Sequence, residues 1–244
     1  MKFIQHYSSS KGNLYEIVAD NGQRLLLDPG VKWGKIQKAI DYNLRGIEGI
    51  LASHAHKDHF IQPKKLLEQS FNIYASKETF EANDLLGHRK CHVIEDCHRF
   101  KVGDAFEVFP FSLQHDCDGT MGFIVHDNTW CPGKPIDENL LFVPETYCIK
   151  QKFGLAFTII AIECNYDRNI LETRFNTGDI NESLAKRLLT SHQEKQVAMD
   201  YIAKFCDLSK CAEIHLLHCS KDNLDIKLAK KQFEEKFFIK VITV

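Results

Sequence analysis

Ser53-His54-Ala55-His56-Lys57-Asp58-His59 is the stretch on which the reading of this chain turns. It ends a segment, Ile47–Ser53, whose apolar Ile47, Ile50 and Leu51 predict a buried strand. In an extended backbone His54 and His56 lie two residues apart and point the same way. Asp58 and His59 follow at once, where the chain must turn before a helix predicted from Pro63. Four nitrogen and oxygen donors packed so closely suit two neighbouring cations better than one. The cluster holds imidazoles and a carboxylate but no thiolate, which favours Zn, Mn or Fe over a cysteine-rich structural zinc site. The alternative is a solvated loop that happens to be rich in histidine, and the strand placement and spacing weigh against it.

The totals narrow the classes. With 244 residues, 44% hydrophobic and 26% charged, the chain is neither disordered, collagen-like nor a coiled coil. Such a length buries about 70–75% of the surface an unfolded chain exposes, so disulfide staples are not needed. The net charge of −2 excludes a globally basic nucleic-acid coat, so any nucleic-acid contact must come from a local patch. The longest apolar run, around Leu155–Ile162, is far short of the ~20 residues of a membrane span. The N-terminal MKFIQHYSSS has no long apolar region or small-residue cleavage site. Nine irregularly spaced cysteines therefore read as reduced thiols of a cytoplasmic protein.

No linker or repeat interrupts the chain, which predicts a single domain over residues 1–244. Strands are expected at Lys2–His6, Leu14–Val18 and Arg24–Leu27, the last ending at Asp28-Pro29-Gly30. Helices are expected at Trp33–Tyr42, Pro63–Gln69 and Lys77–Leu86. Strands return from Ala105 to Leu113 and at Gly122–His126, Leu140–Val143 and Phe157–Glu163. Helices follow at Glu182–Leu189, Glu194–Phe205 and Ile226–Lys236, broken by a strand at Glu213–Leu217 and closed by another at Phe238–Thr243. This alternation suggests two packed sheets with helices outside. The turn-rich Asp127–Asn139 would cover a site.

HAHKDH resembles the HxHxDH motif of the metallo-β-lactamase-fold hydrolases, and further stations of that fold follow in order. Leu25-Leu26-Leu27-Asp28-Pro29-Gly30 is similar to the segment whose aspartate ends a strand beside the metal loop. His115, in His115-Asp116-Cys117-Asp118-Gly119-Thr120, and His218, in Leu216-Leu217-His218-Cys219-Ser220, resemble the later metal histidines. Ser8-Ser9-Ser10-Lys11-Gly12-Asn13, Glu163-Cys164-Asn165-Tyr166-Asp167 and His218-Cys219-Ser220-Lys221-Asp222-Asn223 are similar to the YycJ/WalJ-type branch, its phage-encoded members above all. The resemblance covers essentially the whole chain. It implies an α/β fold, the αββα four-layer sandwich, and phosphodiester hydrolysis, since members of that branch are DNA exonucleases or related phosphodiesterases.

The resemblance also implies two divalent metal ions, Zn or Mn. One would be held by His54, His56 and His115, the other by Asp58, His59 and His218. Where the family carries a bridging aspartate this chain has Glu145, one methylene longer, with Asp116 and Asp118 as the fallback. Two cations would activate a shared hydroxide and polarise the phosphoryl oxygens. Asp58 would orient that hydroxide, and Asp28 would hold a metal-bound histidine or water. His192 stands where the branch carries a histidine before a helix, either as a phosphate contact or general acid or as a plain helix cap.

The implied substrate is DNA or a nucleotide phosphodiester, DNA cut as by an exonuclease, with no membrane contact and no indicated protein partner. A small or cyclic-nucleotide phosphodiesterase with a closed pocket is the second reading. A metal-binding module whose second site Glu145 has impaired is the third. Cys91-His92 and Cys97-His98 are spaced too widely for a zinc ribbon. Lys11, Lys57, Lys64, Lys65, Arg89 and Lys90 would form a local basic rim. Phe109 and Phe111 read as sheet packing rather than a base-stacking platform.

Overall fold

A computed structural model describes residues 1–129 and 138–244. The chain divides into two compact units, one of residues 1–112 and 117–138 with Val244, the other of residues 113–116 and 139–243.

The first unit carries a six-stranded sheet in sequence order: β1 (Lys2–Tyr7), β2 (Leu14–Val18), β3 (Arg24–Leu27), β4 (Ile47–Leu51), β5 (Ile73–Ala75) and β6 (Cys91–Val93). β1, β2 and β3 are antiparallel, and β3 to β6 are parallel. Parallel strands need crossovers, and short helices supply them: α1 (Trp33–Ala39), α2 (Pro63–Glu68) and α3 (Lys77–Glu81). A core of Leu14, Leu26, Ile36, Ile50, Phe60, Leu66, Ile73 and Phe80 is buried between sheet and helices. The unit also holds an antiparallel meander of β7 (Phe100–Val102), β8 (Phe106–Ser112) and β9 (Met121–Asp127).

Leu27 pairs with Leu51 at the ends of parallel β3 and β4. Asp28 and the His54 loop therefore leave the sheet side by side at the carboxyl edge, where open α/β sheets place their ligands.

The second unit repeats this logic with four parallel strands, β10 (Glu138–Val143), β11 (Ile159–Glu163), β12 (Glu213–Leu217) and β13 (Lys240–Ile242). β11 is buried along its whole length, as a strand covered on both faces must be. Its helices are α4 (Arg168–Thr177), α5 (Glu182–Ser191), α6 (Lys195–Phe205) and α7 (Ile226–Phe237). Val143 pairs with Ile162 and Glu163 with Leu217, so Glu145, Glu163 and His218 all sit at one carboxyl edge.

Several boundaries differ from expectation. The first helix stops at Ala39 instead of Tyr42, because Asp41 and Tyr42 take left-handed backbone angles. α3 stops at Glu81 instead of Leu86, with Asp84 left-handed. The last strand starts at Lys240 because Phe238 caps α7 in the left-handed region. β5, β7 and α4 were not expected. Phe111 is fully buried and Phe109 lies under the Arg99 guanidinium, 5.9 Å away. Residues 130–137 of the expected covering segment Asp127–Asn139 lie outside the described residues. No helix among the described residues is long and apolar enough to cross a membrane.

Candidate metal centre

In the first unit the donors are held by a fully buried Asp28. The Ser53 amide donates to its Oδ1 (2.8 Å), and the Ser53 hydroxyl and His59 Nδ1 donate to its Oδ2 (2.9 and 2.8 Å). The Ser53 hydroxyl, its proton committed to Asp28, receives the Nδ1 proton of His54 at 2.9 Å. One carboxylate therefore fixes the ring orientation and tautomer of two histidines, leaving the Nε2 lone pair of each for a ligand. His54 Nε2 lies 3.1 Å from His56 Nδ1, so these two rings meet as the spacing required.

His59 has a partner on its other nitrogen too. Asn13 Nδ2 lies 2.9 Å from His59 Nε2 and donates to the Asp58 carbonyl, also at 2.9 Å. The Ser9 amide and Tyr15 hydroxyl donate to Asn13 Oδ1, which fixes the amide's orientation with its N–H toward the histidine. Sequence reasoning did not single out Asn13 as a site residue, although it ends the quoted SSSKGN segment. Asp58 is half-buried, and Lys57, Lys11, Lys64, Lys65 and Arg89 are exposed, with Lys65 paired to Glu68.

In the second unit Glu145, 2% exposed, has Oε2 2.9 Å from His115 Nε2 and Oε1 2.9 Å from His218 Nε2. His115 Nδ1 donates to the Ser191 carbonyl (2.7 Å), which again directs Nε2 inward. Asp116 Oδ1 lies 3.1 Å from the same Nε2. Burial disfavours charge on His115, yet the bond and charge of Glu145 and the Ser191 carbonyl hold its pKa above the usual imidazole value.

Glu163, which sequence reasoning quoted only within a similar segment, is fully buried at the end of β11. His192 Nδ1 donates to its Oε1 (2.7 Å), and the Thr146 and Gln193 amides donate to its Oε2 (2.7 and 3.2 Å). Burial and, less so, the Glu145 charge raise its pKa, but the charge and bond of His192 and the bond of His218 outweigh them and hold it below the usual carboxylate range. His192 also stacks on His218, with ring centroids 5.4 Å apart. Ligand atoms of Glu145, Glu163, His192 and His218 all lie within 4.8 Å of one another. The signal available beforehand was a lone acid ending an otherwise apolar strand, since a buried carboxylate needs partners.

These donors fit divalent cations. The Nδ1 atoms of His54, His59 and His115 donate to protein acceptors, which leaves their Nε2 atoms, in largely buried surroundings, for a ligand. Among the described residues no such group includes Cys91, His92, Cys97 or His98. A separate acidic trio, Asp20, Asp127 and Glu138, surrounds the Met1 ammonium.

Residues 23–133 match the family model of the beta-lactamase superfamily domain. The exodeoxyribonuclease YycJ of Bacillus anthracis is 26% identical over 95% of this chain and 88% of its own. The metallo-β-lactamase fold protein YhfI from Bacillus subtilis superimposes with a TM-score of 0.69 at 15% identity, covering 99% of this chain and 95% of its own. Zn(2+)-bound PqqB from Methylobacterium extorquens gives a TM-score of 0.70 at 12% identity, covering 100% and 98%. With the motif order and the His, Asp and Glu clusters, these likenesses show a metal-dependent hydrolase with the metallo-β-lactamase fold, similar to the exodeoxyribonuclease YycJ.

Proposed function

We propose that this hydrolase cleaves phosphodiester bonds with two divalent cations, Zn or Mn, and that its substrate is DNA, degraded as by an exonuclease. The observation that carries the reading is the second unit's Glu145, whose two oxygens each face a histidine Nε2 at 2.9 Å. A carboxylate so placed can serve two cations at once, which is the requirement of a two-metal phosphodiesterase. Similarity to an exodeoxyribonuclease supports DNA as the substrate class.

In this proposal His54, His56, His115, Asp58, His59 and His218 would hold the two cations, with Glu145 as a further ligand. When bound, the cations supply an activated water and Lewis-acid polarisation of the phosphoryl oxygens. Asp58 orients the attacking water, and Asp28 keeps the histidines in the tautomer that presents Nε2. His192 hands a proton from Nε2 to the departing alcohol. Glu163 at its Nδ1 keeps the ring aligned and offsets the imidazolium charge, the division of labour seen in hydrolase triads. None of the eight cysteines among the described residues forms a disulfide, which supports a reducing, cytoplasmic setting.

The test is a panel of linear and circular duplex DNA, single-stranded DNA, RNA and cyclic nucleotides, with Mn, Zn, Mg or a chelator. Chelator-sensitive loss of linear DNA with circles spared is expected. Cleavage of cyclic nucleotides alone would replace this reading with a small-substrate phosphodiesterase.

A further inference from the structure

We propose that Arg187 grips a phosphate of the substrate backbone next to the scissile one; this deepens the phosphodiesterase reading and rests on it. The last turns of α5 are tied to the metal centre of the second unit at three points. Ser191 offers its carbonyl to His115, His192 donates to Glu163, and Arg187 Nε donates to Asp116 Oδ2 at 2.8 Å. Arg187 and Ser191 are four apart and so share a helix face. The other oxygen of Asp116 faces His115 Nε2.

Only Nε of the Arg187 guanidinium is engaged. Neither Nη has a hydrogen-bond partner among the described residues, and the side chain is 55% exposed. A surface ion pair of this kind adds only about 0–1 kcal/mol of stability, so stability is a poor account of the placement. What the pair does achieve is orientation: Asp116 holds the guanidinium by one edge and leaves its two-pronged end outward. That end matches two phosphate oxygens, and fixing it beforehand lowers the entropic cost of binding. The chemistry also calls for it. Glu145, Glu163 and Asp116 crowd this edge with negative charge, and the net charge of −2 gives a polyanion no general attraction. A cation at the rim offsets both.

The experiment compares wild type with Arg187→Ala, Arg187→Lys and, as a control on the same helix, Lys186→Ala, whose side chain pairs with Glu182. Steady-state kinetics would be measured on linear DNA and on bis(p-nitrophenyl) phosphate, a diester without flanking phosphates. Binding of a labelled DNA 20-mer would be followed by anisotropy across salt concentrations, with chelator present to block turnover. For Arg187→Ala the expected result is a KM for DNA raised about tenfold, at least fivefold more than for the small diester. The salt slope should fall by about one. Lysine should restore the slope but only part of the KM, and Lys186→Ala should match wild type. Unchanged KM and slope would overturn the proposal, as would equal losses on both substrates, which would make Arg187 a brace for Asp116. If wild type cleaves no diester, the phosphodiesterase reading fails, and the anisotropy slope still decides Arg187.

Discussion

Asp28 Oδ2 accepts the Nδ1 proton of His59 at 2.8 Å, joining the end of β3 to the His54–His59 loop. Because Ser53 donates twice to the same carboxylate, each of its two oxygens faces at least one donor. In Asp28→Asn the amide N–H must confront one of those donors. The left-handed backbone at Asp28 still suits asparagine, so the change tests the carboxylate rather than the turn. The expected result is a 10–100-fold loss of metal affinity (roughly) and about 1–3 kcal/mol of stability, read by chelator competition and urea unfolding. Unaltered metal affinity would show that Asp28 does not hold the ligands.

Gly30 is required by a close approach. A Cβ there would fall 1.7 Å from the Asp58 carbonyl oxygen, which is itself hydrogen-bonded by the Asn13 amide. Gly30→Ala must push the Asp58–His59 backbone away, costing about 3 kcal/mol, the upper part of the overpacking range, and weakening cation binding. Gly34→Ala, in α1 with nothing within 4 Å of the new methyl, should be neutral or slightly stabilising. Equal thermal shifts for the two variants would refute the close-approach account.

Glu145→Asp withdraws the carboxylate by about 1.5 Å, one carbon–carbon bond. Both oxygens now stand 2.9 Å from histidine nitrogens, so the shorter arm loses at least one of them. We expect turnover at least tenfold lower, together with weaker binding of one cation in calorimetric titration. Faster turnover would mean that the longer side chain is merely tolerated.

Glu16 on β2 is buried and bonded by His6 Nε2 (2.7 Å) and Arg24 Nε. Burial raises its pKa, but those two bonds and the Arg24 and His6 charges outweigh that and hold it below the ordinary carboxylate value. A carboxylate depressed in the folded state contributes stability that is fully present above its unfolded pKa of about 4.3. That contribution is lost as pH falls through the folded value. The Tm gap between wild type and Glu16→Gln should therefore shrink as pH drops from about 6 to about 3. A constant gap would show that the ion pairs contribute nothing.

The metal loop was legible because its chemistry is local. His54 and His56 follow a strand, and Asp28-Pro29-Gly30 ends its neighbour, so parallel pairing brings the two ends together. Glu163 and Asn13 were harder to read, because each acts through a partner distant in sequence: His192 is 29 residues from Glu163, and His59 is 46 from Asn13. α4 was overlooked because among its residues only Leu171 is buried, which leaves no apolar stripe to find. Its ends were marked nonetheless, by the Asp167 cap and left-handed Gly178. β5 and β7 are three residues each, too short for alternation to register.

The central claim is that the proposed histidines and carboxylates hold two cations that drive hydrolysis. Native mass spectrometry of the Mn- or Zn-loaded protein, with DNA decay followed on the same sample, tests it most directly. The account predicts two cations per chain, fewer in folded His56→Ala and His218→Ala, and turnover that disappears with them. One cation or none in a wild-type protein that still degrades DNA in chelator, or full activity in His56→Ala, would contradict it.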